Sequence, residues 1–228
     1  MSAQLPLALR WPAHQRLAGF RPGANALALE LVRGAATQPG TAWLYLSGPP
    51  GSGRTHLLVA ACAAAQAQGR SAQYLPLASL PDATAALRGC GGSALLAIDD
   101  VDAIAGVVDA EQALFDLYNR CRSDQASVLF AAGAAPAQLA LVLPDLASRL
   151  AACTQLVLRP LAEAERRELL RERAHARGIE LDAGVLDWLF TRSQRDLGSL
   201  LALLERIDQA SLASQRRVTV PFLRSLLD

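Results

Sequence analysis

Residues 42–58 read AWLYLSGPPGSGRTHLL: an apolar β-like run, a turn rich in glycine and proline, then the start of a helical pattern. A strand delivered directly into a helix by such a turn is the building unit of a parallel sheet. Gly48, Gly53 and Thr55 fit the phosphate-loop pattern G-x-x-x-x-G-K-[ST], with Arg54 in the place of the lysine. Glycines let successive backbone N–H groups face one concavity, and the helix N-terminus adds the positive end of its dipole. Gly48, Gly51, Gly53, Arg54, Thr55 and His56 are therefore the candidate phosphate-side residues.

Five runs have strand character, at 42–48, 72–77, 94–100, 127–133 and 154–160, with helical patterns at 54–68 and 110–122. Their alternation predicts a mostly parallel sheet with helices on both faces. Runs without polar alternation, such as ALLAI at 94–98, suit strands buried on both sides. Beyond Pro160 the patterns are helical only: 163–178 closing on Gly178, then 182–193 and 195–213, and a last short helix opening at Thr219-Val220-Pro221. The expected organisation is a flexible tail over 1–12, an α/β nucleotide-binding core over 13–160 and a small all-α domain over 161–228.

With 52% apolar and 19% charged residues the chain lies far from the composition of disorder. The net charge is +1, and from Leu161 onward eleven Arg balance eleven Asp and Glu, which leaves no local excess for a large nucleic-acid face. All 22 basic residues are arginine, so composition alone is one reading of Arg54. Cys62, Cys90, Cys121 and Cys153 are scattered without metal-ligand spacing, as expected of reduced, buried thiols. No signal peptide and no apolar run of about 18 residues is found, which predicts a cytoplasmic protein without a membrane partner.

The run ALLAIDD places Asp99 at the end of a buried strand, where it would hold Mg²⁺ together with the Thr55 hydroxyl. In order along the chain, LYLSGPPGSGRTHLL, LLAIDDVDAIAG, FDLYNR and LPDLASRL, followed by a helical domain, resemble the Hda-like regulators, relatives of the AAA+ domain of the bacterial replication initiator DnaA. FRPGAN at 20–25 fits too, and the resemblance puts Phe20 and Asn25 near the nucleotide base. Hda-like proteins also carry arginine at the position of Arg54, which weakens the compositional reading.

The resemblance implies an AAA+ P-loop core with a five-stranded parallel sheet and a four-helix lid. Three occupancies of the loop stay open, ADP, another adenine nucleotide or none, with Mg²⁺ at Thr55 and Asp99 where a nucleotide is bound. The resemblance implies negative regulation of replication initiation: with the DNA-loaded sliding clamp, the protein stimulates hydrolysis of ATP bound to DnaA, and DNA is contacted indirectly. Arg149, in SRL at 148–150, falls where the family has the arginine finger that acts in trans. QLPLAL at 4–9 looks like a clamp-binding peptide, with Gln4, Leu5, Leu7 and Leu9 as its contacts.

The chain departs from the family at two places. Ala132, Gly133, Ala134 and Ala135 replace polar sensor residues, and Gly198 stands where a lid arginine is expected, with Arg195 nearby as a substitute. With Arg54, these changes predict little intrinsic ATP hydrolysis. A stand-alone DNA-dependent ATPase such as a helicase loader, and a clamp-binding adaptor without a catalytic role, stay open as alternatives, as does assembly into a homo-oligomer. The chain ends at Asp228, without room for the helix-turn-helix domain that follows the lid in initiators, so an initiator is not expected.

Overall fold

The computed structural model describes residues 15–192, 197–214 and 218–227. The chain divides into two compact units, Met1–Arg159 and Pro160–Asp228.

The first unit is built on strands β1 (Leu44–Ser47), β2 (Ala72–Pro76), β3 (Leu95–Asp99), β4 (Ser127–Ala132) and β5 (Thr154–Val157). They form one parallel sheet in the order β2-β3-β4-β1-β5. Helices α1 (Ala26–Thr37), α2 (Arg54–Ala67), α3 (Ala83–Gly89), α4 (Val108–Ser123) and α5 (Pro144–Ala151) flank it. Successive side chains of a strand point to opposite faces, so the same apolar runs supply two cores. Leu44, Leu46, Leu95, Ala97, Leu129 and Ala131 pack with α1 and α2. Tyr45, Leu96, Ile98, Val128 and Phe130 pack with α3, α4 and α5. Every residue of β1, β3 and β4 is buried, which is why their sequences lack alternation.

Local chemistry fixes the helix ends. Asp82 caps α3 by accepting from Ala85 N at 2.8 Å. Helix α4 carries Asp109 and Glu111 in its first turn and Arg120 and Arg122 in its last, matching the helix dipole. At the N-terminal edge of the sheet Arg70 ties three segments together: Nη1 donates to Ala35 O (2.9 Å) and Ala36 O (2.6 Å), and Nη2 to Ala94 O and Ser127 Oγ (both 3.2 Å). At the opposite edge, the insertion of β4 between β1 and β3 puts the ends of all three beside one another, where α/β sheets place ligands.

The second unit contains α6 (Glu163–His175), α7 (Ala183–Arg192), α8 (Leu197–Ser214) and α9 (Val220–Leu227). Leu170, Leu186, Leu189, Phe190, Leu204 and Leu223 lie in its core. Helix α6 stops at His175, earlier than the sequence pattern suggested, and Gly178 (φ +74°) takes the left-handed turn beyond it. Arg167 pairs with Glu163 (3.1 Å) and Asp187 (2.6 Å) and lies over the Phe190 ring, joining α6 to α7. Among the described residues, no helix is long and apolar enough to cross a membrane.

Candidate functional site

The loop after β1 is shaped by two glycines with positive φ, Gly51 (+78°) and Gly53 (+95°). A Cβ on Gly53 would lie 2.6 Å from the Phe20 ring, and one on Gly48 would lie 2.6 Å from Leu158 O, so both positions exclude a side chain. Helix α2 starts at Arg54 and its first backbone bond runs from Leu57 N to Gly53 O at 3.0 Å. The amides of the first turn therefore face out of the helix N-terminus without intrahelical acceptors. Inside the loop the Ser52 hydroxyl is buried and has no hydrogen-bond partner among the described residues.

Across the loop, the Thr55 hydroxyl donates to Asp99 Oδ2 at 2.6 Å, and the Tyr74 hydroxyl donates to the same oxygen at 3.0 Å. Asp99 is buried, and its Oδ1 accepts from Asp100 N at 3.0 Å. Burial, then the charge and hydrogen bond of Asp99, pushes the Tyr74 phenol well above its ordinary range. Burial and the neighbouring Asp99 also raise the Asp100 carboxyl, with Arg54 opposing them.

Arg54 reaches toward the end of β4. Its Nη1 is 3.7 Å, and Asp102 Oδ2 is 3.3 Å, from the point where a Cβ on Gly133 would sit. Gly133 N donates to Asp102 Oδ1 at 3.2 Å, and the Tyr45 hydroxyl donates to Ala134 O at 3.0 Å. Arg54 Nη1 is buried without a hydrogen-bond partner among the described residues. The guanidinium thus takes up space that a polar side chain at the strand end would need, and the strand end has only glycine and alanine to offer.

The buried, unpartnered Ser52 hydroxyl and Arg54 Nη1, beside a turn in which a Cβ has no room, fit an anionic group such as a phosphate. A magnesium ion fits more narrowly. Among the described residues there is no cluster of three or more His, Cys, Asp or Glu side chains able to hold a metal. The protein's donors here are the Thr55 hydroxyl and the Asp99 carboxylate, so phosphate oxygens and water would complete the shell.

The remaining expected residues fall in three groups. Phe20 lies on Gly53, 5.4 Å from the His56 ring, and His56 Nε2 is 3.1 Å from Arg16 O. Asn25 is a brace: its carboxamide donates to Arg159 O (2.8 Å) and accepts from Arg159 N (2.9 Å), and the residue is buried. Arg149 is exposed on α5, its guanidinium 5.8 Å from the centre of the Tyr118 ring, and it makes no ion pair among the described residues. Gln4, Leu5, Leu7, Leu9 and Arg195 lie outside the described residues; Gly198 belongs to α8 in the second unit.

Sequence reasoning missed Tyr74, Asp102 and Ser52. Tyr74 sits in a strand pattern that signals only packing, and Asp102 gains meaning from a hydrogen bond to a residue 31 positions later. Ser52 lay inside the quoted loop, where its burial was the missing signal.

A family model for the Hda lid domain matches residues 163–227. Domain III of the Thermotoga maritima replication initiation protein DnaA superposes with a TM-score of 0.75 at 20% identity, over 95% of this chain and 97% of that one. AMPPCP-bound DnaA from Aquifex aeolicus gives 0.71 at 23% identity, over 86% of this chain and 66% of that one. The Thermotoga maritima RuvB Holliday junction branch migration motor gives 0.62 at 20% identity, over 90% and 67%. These likenesses show the fold, a P-loop AAA+ core with a parallel sheet and a helical lid. The chain thus joins a core with the fold of DnaA domain III to a segment, residues 163–227, that matches the Hda lid domain family.

Proposed function

We propose that this protein is a negative regulator of replication initiation that, with the DNA-loaded sliding clamp, stimulates hydrolysis of ATP bound to DnaA by inserting Arg149 in trans. Arg149 carries the reading: an exposed guanidinium on α5 with no ion pair among the described residues, so its donors are free for an incoming phosphate. A finger of this kind stabilises charge on the transferring phosphoryl group and is worth about 10³–10⁵ in rate in GTPase systems.

The protein's own loop then binds ADP or another adenine nucleotide. The N–H groups at the head of α2 hold the phosphates, Phe20 and His56 flank the loop, and Thr55 with Asp99 holds the ion. Bound Mg²⁺ would neutralise phosphate charge there. Turnover at this site is low because no side chain of Ala132–Ala135 can orient water and Arg54 reaches toward Gly133. Gln4, Leu5, Leu7 and Leu9 supply the clamp contact, which brings the protein to DNA indirectly.

The test is single-turnover hydrolysis of ATP pre-bound to DnaA, with loaded clamp and this protein added. Clamp-dependent acceleration that disappears in Arg149→Ala supports the finger. Acceleration that persists in Arg149→Ala points instead to an adaptor.

A further inference from the structure

We propose that Glu111 and Tyr118, on one face of α4, are positioning residues that set where Arg149 stands. This rests on the reading of Arg149 as a finger in trans. Residues seven apart on a helix share a face, and that face of α4 lies against α5. Leu114 and Leu117 of α4 share one core with Leu146 and Leu150 of α5.

Glu111 is fully buried, and the hydrogen bonds of its carboxylate among the described residues all come from backbone amides. Oε1 accepts from Gly106 N at 2.7 Å and Val142 N at 3.1 Å; Oε2 accepts from Val142 N at 2.9 Å and Leu143 N at 2.7 Å. Leu143 is the residue that opens α5, so the carboxylate grips the first amides ahead of the helix that carries Arg149. The same carboxylate holds Gly106, in the turn that follows the 3₁₀ segment Val101–Ile104. From Leu143 to Arg149 a helix is a stiff lever of about 9 Å at 1.5 Å per residue. Fixing one end fixes the direction of the other.

Tyr118 acts at that other end. Its ring lies under the Arg149 guanidinium at 5.8 Å, within the range of a cation–π contact. Such a contact occupies none of the guanidinium's N–H donors with a hydrogen-bond acceptor, so they stay available for a phosphate. The Cys153 thiol donates to Arg149 O at 3.6 Å, a further tie at the end of α5.

The experiment is the single-turnover assay on ATP-loaded DnaA with loaded clamp, titrating the full chain to separate the maximal rate from the half-saturating concentration. Glu111→Gln keeps the shape but turns an N–H donor toward backbone donors. It should lower the maximal rate about tenfold or more and leave half-saturation within about twofold, the signature of a misplaced catalytic group. Tyr118→Leu should lower the maximal rate several-fold, and Tyr118→Phe, which keeps the ring face, should restore it. If Glu111→Gln fails to fold, as judged by its circular dichroism melt, the Leu and Phe variants decide. Loss of rate in Arg149→Ala with unchanged maximal rates in the folded α4 variants would overturn the positioning role and leave the finger standing. A shift confined to half-saturation would do the same. Indifference to Arg149→Ala would overturn the finger, and this inference with it.

Discussion

The Thr55 hydroxyl donates to the Asp99 carboxylate at 2.6 Å, joining the helix after the phosphate loop to the end of β3 across the intervening β4. Tyr74 donates to the same oxygen, so Asp99 is held in place from two sides. Asp99→Asn should remove the negative charge with little change of shape. The expected result is adenine-nucleotide binding that no longer responds to Mg²⁺, with at least about a tenfold loss of apparent metal affinity. Titration of a fluorescent ADP analogue with and without EDTA reads this directly.

Gly53 combines φ +95° with a Phe20 ring carbon 2.6 Å from its would-be Cβ. Gly53→Ala should destabilise the protein by about 1–3 kcal/mol through backbone strain, plus a steric part. Only the steric part should be relieved by Phe20→Ala, so the two substitutions should be non-additive by about 0.5–3 kcal/mol in urea denaturation. Strict additivity would mean the ring does not press on the loop.

Asn25 spends its carboxamide on both backbone groups of Arg159. Asn25→Ala should cost about 1–3 kcal/mol, because a buried N–H and C=O lose their partners together. The melting temperature should fall, while the folded variant should keep its ADP affinity within about twofold, a margin well below the roughly tenfold change that 1.4 kcal/mol of lost contact would give. A selective loss of ADP binding would instead make Asn25 a ligand contact.

Burial raises the thiols of Cys90, Cys121 and Cys153 from an ordinary 9.0 to about 11, and that of Cys62 to about 12. Between pH 9 and 11 the unfolded chain has released these protons and the native chain retains them, so the native state binds more protons there. Stability is fully present below pH 9 and should fall as pH rises toward 11. Denaturation midpoints at pH 8, 9 and 10 should decrease in that order, and alkylation at pH 8 should be slow until the chain is unfolded.

Strands β1, β3 and β4 were legible because a strand buried on both faces must be apolar throughout; the runs at 94–100 and 127–133 contain β3 and β4 with little excess. The loop glycines were legible because their spacing has a backbone cause. Helices α1, α3 and α5 were not singled out by pattern, although Ala28, Leu29, Val32, Ala35 and Ala36 of α1 are buried at helical spacing. Small alanines gave that stripe little contrast.

The direction of Arg54 could not be read from its neighbours in sequence, since its guanidinium ends beside Gly133, 79 positions later. Glu111 looks in sequence like an ordinary acid in the first turn of a helix. Its burial comes from the loop at 141–143, which only the tertiary structure brings to it.

The described chain begins just upstream of Arg16 and Phe20, and both touch the phosphate-loop helix, one through His56 and the other through Gly53. The amino-terminal segment and the loop are therefore mechanically in series. A pull on the described segment would be felt first at Arg16 and its contact with His56, and next at the Phe20 ring and Gly53, so this short stretch grips the nucleotide loop at two successive points.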